Sequence, residues 1–292
     1  MPTHEANARA GLAGNPSDGY GGAVLAVTIP AFSARVAVAP LVGPLATSGE
    51  RPALIDATLA RFAREFGQAG EVEAWETSIP RSVGLGGSSA IVIATLRGLC
   101  ELHDIAIDPA DLAELALSIE RDDLGIAAGL QDRVAQSYGG LTFMEFSKDP
   151  PAYERLDPGR LPPLLVAWRT HTAEHSGVVH NDLRTRWESG DPVIRHGMHE
   201  LAESARDARA AVLLGDGAVL ARCATESYEV RKRMMTLDPR HVEMVEVARA
   251  AGAGVNYTGS GGAIICVCSD AGHRERVAAA LRAAACETVA VG

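Results

Sequence analysis

Aromatic side chains are scarce in this sequence. They make up 4% of its 292 residues, so the chain lacks the stacking surface on which single-stranded nucleic acids bind. Acidic residues outnumber Lys and Arg by 37 to 27, which gives a formal net charge of −10, and no lysine- or arginine-rich block interrupts this excess. The composition therefore predicts that the protein has no nucleic-acid partner.

Long apolar runs are absent as well. No stretch of 18 apolar residues occurs, so we expect no membrane-spanning helix and no membrane partner. Residues 1–7 lack the apolar region of a secretory signal peptide. The five cysteines have neither paired nor zinc-type spacing, which argues against a disulfide framework. We therefore expect a cytoplasmic protein in a reducing environment.

The length and the pattern of apolar residues are compatible with a two-domain α+β protein. A chain of 292 residues fits one large or two ordinary domains. Apolar strand-like runs alternate with segments of helical spacing along the sequence. The segment 147–163 is rich in Pro and Asp and is typical of a connection. We place the domain boundary there, giving domains 1–160 and 161–292.

A glycine-rich stretch, Pro80–Ala90, is the most informative part of the chain. Its glycines are Gly84, Gly86 and Gly87, and two serines follow, Ser88 and Ser89. Glycines permit positive φ and keep side chains out of the way, and the apolar run 90–96 predicts a buried helix. The first-turn N–H groups of such a helix have no intrahelical acceptor and form an anion site. The two hydroxyls are suited to cap the helix, to bind magnesium, or to do both.

This stretch by itself is also compatible with a plain glycine turn and a serine N-cap. It lacks the lysine of a Walker A loop, and it is too long and too rich in serine for a dinucleotide fingerprint. Its order of residues resembles the second motif of the GHMP kinases, although Gly87 stands where many members have serine. The resemblance implies that the loop binds the phosphates of ATP through Pro80, Gly84, Leu85, Gly86, Gly87, Ser88, Ser89 and Ala90.

A turn-rich segment, residues 14–22, precedes a strand-like run at 23–29. Its Asn-Pro and Asp-Gly pairs are turn signals, and a hairpin connection explains them as well as a substrate loop does. In a substrate loop, Asp18 accepts hydrogen bonds from sugar hydroxyls. The segment matches the length of the galactokinase loop Gly-Glu-His-Thr-Asp-Tyr-Asn-Gly-Gly. This resemblance implies sugar contacts from Asn15, Ser17, Asp18 and Tyr20, and it aligns Arg9 with a catalytic-site arginine.

Two carboxylates, Glu120 and Asp132, follow the glycine loop on consecutive predicted helices. Asp132 near a helix start is also typical of simple charge capping. Phosphoryl transfer uses one carboxylate with a hydroxyl to hold Mg²⁺ and another to orient or deprotonate the attacking alcohol. The order of the two residues resembles that in GHMP kinases. The resemblance implies that Glu120 binds Mg²⁺ with Ser88 or Ser89, and that Asp132 is catalytic.

The second half of the chain contains another glycine-rich turn and several arginines. Gly259, Ser260 and Gly261 form a turn before a strand, and they resemble the third GHMP motif, which closes over the nucleotide phosphates. We expect Arg231 to bind a substrate carboxylate, because arginine binds carboxylates in a bidentate manner. Gln131 is a further candidate for substrate binding. The basic residues of 171–186, including His180, are compatible with a solvated face or with a lip over an acidic substrate.

Four elements in this order resemble the GHMP kinases, and several stretches resemble the plant glucuronokinase branch of that family. The resemblance implies transfer of the γ-phosphate of ATP, with Mg²⁺, to the 1-hydroxyl of D-glucuronate. It also implies a first domain like ribosomal protein S5 domain 2 and a ferredoxin-like second domain. A kinase for another sugar or sugar acid, such as galacturonate or galactose, and a non-catalytic sugar sensor remain alternatives. Both a monomer and a homodimer remain open.

Overall fold

Five antiparallel strands form the first of two sheets. The structure, a computed structural model, describes residues 2–41, 51–169 and 176–291, with the backbone alone at 176–181. The strands of the first sheet are β1 (Thr3–Ala13), β2 (Ala23–Pro40), β3 (Gly70–Thr77), β4 (Leu141–Glu145) and β5 (Ala152–Leu156). Their order is β1-β2-β4-β5, and β3 pairs with the far half of β2.

The strand-like run at 23–29 predicted from the sequence is the first part of the longer strand β2. The pairing between β1 and β2 changes register between Asn7 and Ala8, which face Ser33 and Ile29. A bulge of this kind bends a strand without ending it, so β2 continues past Pro30. β1 was not predicted, because its buried face consists mainly of alanines, which carry a weak strand signal.

Four helices accompany the first sheet. They are α1 (Ala53–Phe66), α2 (Gly87–Leu102), α3 (Pro109–Ser118) and α4 (Gln131–Tyr138), and a turn of π-helix, Ile119–Asp123, extends α3. Helix α2 is buried on nearly every side, as its uninterrupted apolar run predicted. It therefore forms the centre of the core beneath β1 and β2.

The second sheet is smaller and has five helices. Its strands are β6 (Leu164–Trp168), β7 (Gly254–Tyr257), β8 (Ala263–Val267) and β9 (Glu287–Val291), in the antiparallel order β7-β8-β6-β9. The helices are α5 (Ser176–Glu188), α6 (Pro192–Leu214), α7 (Gly217–Met234), α8 (Pro239–Ala250) and α9 (Ala271–Ala283). Aspartates accept a first-turn N–H at the start of four of them, namely Asp191, Asp216, Asp238 and Asp270, a common N-cap choice.

The largest buried cluster continues from the first sheet to one face of the second sheet, and a separate cluster covers the other face of the second sheet. Alanines on α6, including Ala205 and Ala208, pack into the same buried cluster as β1 and β2. Arg206 on α6 donates two hydrogen bonds to Glu145 at the end of β4. The segment 147–163, predicted as a connection, contains β5 as well as a turn. Among the helices in the described ranges, none is long and apolar enough to cross a membrane.

Candidate active site

A cavity of about 820 Å³ lies where the glycine loop, the first turn of α4 and the loop after β7 meet. Its wall brings together residues that are far apart in sequence. Those predicted from sequence are Arg9, Asn15, Asp18, Pro80, Gly84, Leu85, Gly86, Gly87, Ser88, Gln131, Asp132, Arg231, Gly259 and Ser260. Such a concave site with converging polar groups is the natural place for a ligand.

The glycine loop enters α2 through two left-handed residues. Gly84 and Gly86 both have φ of +75°, a conformation that disfavours any side chain. The first helical bond of α2 runs from the N–H of Ala90 to the carbonyl of Gly86, at 3.1 Å. The N–H groups of Gly87, Ser88 and Ser89 therefore have no intrahelical acceptor, and they form an anion site at the positive end of α2.

The second glycine turn lies against the first. A Cβ added to Gly84 would lie 2.6 Å from the carbonyl oxygen of Gly261, and one added to Gly259 would lie 2.5 Å from that of Gly84. Any side chain at either position would therefore push the two loops apart. The absence of side chains at Gly84 and Gly259 is what allows the two loops to close around one ligand.

The two serines of the loop differ in position. Ser88 is exposed and lines the cavity, whereas Ser89 is fully buried and donates to the carbonyl of Gly86 at 3.1 Å. Ser89 and the buried Ala90 therefore support the helix start and do not line the cavity. In the part of the chain that the structure describes, no group of three or more His, Cys, Asp or Glu is arranged to hold a metal ion.

The residues of the cavity wall nevertheless fit a magnesium ion. An ion that binds mainly through nucleotide phosphates needs only one or two protein ligands. The Ser88 hydroxyl and the carboxylates of Asp18 and Asp132 are among the oxygen ligands that the cavity wall offers.

Arg9 joins the three parts of the site. It lies on β1, is buried, and its Nε donates to Oδ1 of Asp132 at 2.7 Å. Its Nη1 donates to the carbonyls of Gly84, at 2.7 Å, and Thr258, at 2.9 Å. One guanidinium thus fixes the glycine loop, the second glycine turn and the carboxylate predicted to be catalytic.

Glu120 lies away from the cavity wall, although the metal prediction placed it there. Its side chain is fully buried, and Oε2 accepts hydrogen bonds from both Nε (2.7 Å) and Nη2 of Arg133. Arg133 lines the cavity in its place, with Nη1 3.7 Å from Oδ2 of Asp132. The structure therefore brings Glu120 and Asp132 together as expected, but with an arginine between them.

The substrate loop 14–22 divides into residues that reach the cavity and residues that shape the loop. Asn15 and Asp18 line the cavity, and Asn15 Oδ1 also accepts from Asn256 at 3.0 Å. Ser17 is buried and donates to the carbonyl of Ala23 at 2.9 Å. Tyr20 packs on Trp187 of α5, with ring centroids 4.9 Å apart.

Ser17 and Tyr20 do not line the cavity, and their side chains contact other parts of the protein, so the substrate contacts predicted for them stay predictions. The sequence indicated these contacts only through the length of the segment, and that length does not determine which side chains face a ligand. Arg184 contributes to the same packing, with its guanidinium 5.4 Å from the centre of the Tyr20 ring. The side chain of His180 lies outside the described residues.

Asp18 is the carboxylate whose protonation changes in the neutral range. Burial and, to a smaller extent, the nearby carboxylate of Asp132 raise the pKa of Asp18 to about 7, although the hydrogen bond from the N–H of Gln131 opposes the shift. Its Oδ2 lies against Gly129, where an added Cβ would approach to 2.3 Å. A glycine at 129 is thus required for Asp18 to lie beside the first turn of α4.

For the sugar kinase activity that the sequence resemblance implies, we expect the pH dependence of kcat/KM for the sugar to report the ionisation of Asp18. If the ionised carboxylate accepts from the acceptor's hydroxyls, kcat/KM rises with pH through about 7 in the free enzyme. Asp18→Asn should remove this limb. Because the raised pKa means that the folded state disfavours the charged form, the same change should also raise the melting temperature of the apo protein at pH 8. A limb near pH 7 that persists in Asp18→Asn would assign it to another group.

Arg231 is a buried cation that faces the cavity. It is 2% exposed, and its Nη2 and Nη1 donate to the carbonyls of Gly259 (2.6 Å) and Asn15 (3.4 Å). Burial and the neighbouring Arg9 lower the pKa of Arg231 to about 10. Its Nε has no hydrogen-bond partner, and no carboxylate of the described residues forms an ion pair with it. Gln131, also buried on the cavity wall, has an unpartnered Oε1.

Several residues of the cavity wall were not predicted as site residues. They include Arg51, Trp75, Arg81 and Arg133. Arg133 stands next to Asp132 in the sequence, and this adjacency was a usable signal. Arg81 lies within the glycine-rich stretch itself, whereas Arg51 and Trp75 come from segments whose helical or alternating pattern indicated packing only.

Comparisons with known proteins agree with this arrangement. The sequence models described as GHMP kinases N terminal domain and GHMP kinases C terminal match residues 53–140 and 208–287. Glucuronokinase 1 of Arabidopsis thaliana is 34% identical over 91% of this chain and 85% of its own length. Probable glucuronokinase 2 of the same plant is 34% identical over 91% of this chain and 84% of its own.

Solved structures show the same fold at lower identity. Lactococcus lactis galactokinase complexed with galactose superposes with a TM-score of 0.78 at 15% identity, covering 100% of this chain and 93% of that one. The first sheet, the second sheet and the two glycine turns between them make up the two-domain GHMP kinase fold. The chain belongs to the GHMP kinase family, and it is a small-molecule kinase.

Proposed function

We propose that the protein is an ATP- and magnesium-dependent kinase that phosphorylates the anomeric hydroxyl of D-glucuronate, giving glucuronate 1-phosphate and ADP. The observation that carries this proposal is Arg231, a buried cation on the cavity wall that has no carboxylate partner among the described residues. A neutral hexose does not need such a group, whereas a sugar acid does. The two Arabidopsis relatives named above as glucuronokinases support the same choice.

The nucleotide side of the site is the glycine loop. We place the triphosphate at the free N–H groups of Gly87–Ser89, where the start of α2 favours negative charge. Ser88 is the hydroxyl positioned to contact a metal ion. A magnesium ion held there would neutralise the charge that develops on the phosphate oxygens during transfer. The glycine turn at 259–261 closes the opposite side.

The acceptor side is formed by Asp132, Asp18 and Arg231. In this assignment Asp132 orients the anomeric hydroxyl and accepts its proton as the oxygen attacks the γ-phosphorus and ADP leaves. Asp18 accepts hydrogen bonds from a ring hydroxyl, and Arg231 binds the carboxylate. Arg9 holds Asp132 in place through its Nε, 2.7 Å from Oδ1.

A screen of acceptors tests the proposal. ADP release should be measured with ATP and Mg²⁺ over glucuronate, galacturonate, galactose, glucose and mevalonate. We expect glucuronate to give the highest kcat/KM, with the neutral sugars lower by about 10²-fold, the cost of leaving a buried arginine unpaired. A neutral sugar or mevalonate as the best acceptor would refute the sugar-acid assignment, and galacturonate as the best acceptor would refute the choice of glucuronate.

A further inference from the structure

The buried pair of Glu120 and Arg133 has no role in the function proposed above. Glu120 lies in the single turn of π-helix, Ile119–Asp123, that ends α3, and Arg133 lies in the first turn of α4. The Glu120 side chain is 0% exposed and that of Arg133 is 4% exposed. A buried ion pair of this kind is costly to form and more costly to break, so its place beside the candidate catalytic carboxylate calls for an explanation.

The contacts of Glu120 are those of an anchor for arginine. Its Oε2 accepts from both Nε and Nη2 of Arg133, and its Oε1 has no hydrogen-bond partner among the described residues. Neither oxygen lies on the cavity wall, whereas Arg133 does. A divalent ion at Glu120 would have to sit beside this guanidinium, and the two positive charges would repel each other strongly in a buried environment.

The contacts of Arg133 lead from Glu120 to Asp132. Its Nη1 donates to the carbonyl of Gly129 at 2.9 Å and lies 3.7 Å from Oδ2 of Asp132. Arg9 contacts the other oxygen, Oδ1, at 2.7 Å. The carboxylate of Asp132 therefore has a guanidinium near each oxygen. Rotation of the carboxylate about χ2 would move an oxygen away from the guanidinium that it faces.

Arg133 also fixes the segment just before α4. The carbonyl of Gly129 belongs to the short cavity-lining stretch 126–129, and Asp18 lies against Gly129 on its other side. One arginine thus sets both the orientation of Asp132 and the path of the backbone that supports Asp18. Small displacements of groups that orient an acceptor have large effects on rate.

We propose that Glu120 and Arg133 are a positioning pair for Asp132, in which Glu120 holds Arg133 and Arg133 orients the carboxylate and the Gly129 carbonyl, and that Glu120 is not a ligand of the catalytic magnesium. This inference rests on the proposed kinase function for its kinetic part only. It differs from the metal role implied by the sequence, because the structure fills the space between Glu120 and the cavity with Arg133.

A double-mutant cycle with Glu120→Gln and Arg133→Met tests the pair. We measure three quantities for each variant. They are the melting temperature of the apo protein, kcat with the best acceptor, and the Mn²⁺ affinity of the enzyme with a non-hydrolysable ATP analogue, which is read by electron paramagnetic resonance. We expect kcat to fall about tenfold to hundredfold in each single variant and no further in the double variant, because the residues act as one unit. Mn²⁺ affinity should stay within about twofold for Glu120→Gln, as no ligand is lost.

Asp122→Asn is the matched control, since Asp122 lies in the same π turn but is 64% exposed. It should change none of the three readouts. A loss of Mn²⁺ affinity of about tenfold or more in Glu120→Gln would assign a metal ligand and overturn the proposal, as would additive effects of the two changes on kcat. If Glu120→Gln does not fold, the Mn²⁺ affinity of the double variant is compared with that of Arg133→Met. A weaker affinity in the double variant would also overturn the proposal.

The metal and stability readouts do not depend on the acceptor. If the wild-type protein phosphorylates none of the sugars, the proposed function fails, while coupling in melting temperature and unchanged Mn²⁺ affinity still support the pair. If the enzyme is active and the coupling is absent, the pair fails and the proposed function stands.

Discussion

Asp132→Asn is expected to lower kcat for glucuronate by about 10²–10⁴-fold, the usual loss when a general base is removed. Asparagine has nearly the same shape and keeps one oxygen that accepts a hydrogen bond from Arg9. It cannot take the proton of the anomeric hydroxyl, and it carries no charge to orient that hydroxyl toward the γ-phosphorus. The defect should therefore appear in kcat, measured by ADP release at saturating glucuronate and ATP.

Nucleotide binding should survive this change. Arg9 keeps its bonds to the carbonyls of Gly84 (2.7 Å) and Thr258 (2.9 Å), so the two glycine turns stay together. We expect the dissociation constant of an ATP analogue to change by less than about threefold, because the phosphates bind to the backbone N–H groups of the glycine loop and not to Asp132. Asp111→Asn is the matched control, since Asp111 is an exposed aspartate in the first turn of α3, outside the cavity. Turnover by Asp132→Asn within a few-fold of wild type would exclude Asp132 as the catalytic carboxylate.

Arg231→Gln is expected to raise KM for glucuronate by about 10²-fold, the effect of truncating one member of a buried charge pair. Glutamine keeps donors for the nearby carbonyls but has no charge for the substrate carboxylate. KM for a neutral sugar should change only a few-fold, because such a sugar has no group that uses the charge. The measurement is a pair of KM values for each variant, one with glucuronate and one with glucose or galactose.

Arg233→Gln separates the charge at the site from the general charge of α7. Arg233 lies two residues away, is 54% exposed and pairs with Glu200 on α6, so its loss should leave both KM values unchanged. If Arg231→Gln raises KM equally for charged and neutral acceptors, Arg231 supports the backbone of the cavity and does not bind the carboxylate. Melting temperatures of both variants check that the fold is retained.

The parts of the site made from backbone were the most predictable. Gly84, Gly86 and Gly259 were identified as loop residues because positive φ and close approach of two chains require glycine, and these are local properties that sequence records directly. The start of α2 followed from the long apolar run after the loop. Asp132 was identified from the order of the two carboxylates, which resembles that in GHMP kinases, and it lies in the first turn of α4.

Side-chain direction was less predictable. Ser17 and Tyr20 lie in the substrate loop as expected, but whether a loop residue faces a ligand or its own chain depends on tertiary packing, here on Ala23 and on Trp187 of α5. Ser88 and Ser89 are neighbours in sequence, yet the helix turns one outward and the other into the core. Adjacent residues on a helix differ by about 100° in direction, so residue type alone did not distinguish them.

The role of Glu120 depended on a partner that no local pattern indicates. Its neutralising residue, Arg133, is 13 positions away in α4, whereas Glu120 lies in the π turn that ends α3. A π bulge has no strong composition signal. The position of a buried carboxylate relative to a cavity was therefore accessible only from the assembled fold.

The central claim, transfer of phosphate to the anomeric oxygen of glucuronate by this cavity, is tested most directly by the position of the phosphate in the product. The reaction of wild-type protein with ATP, Mg²⁺ and D-glucuronate is followed by phosphorus–proton correlation nuclear magnetic resonance. We predict a product in which phosphorus couples to the anomeric proton and the carboxylate is unmodified. Phosphate on any other oxygen, or ADP release without a glucuronate phosphate, would contradict the account.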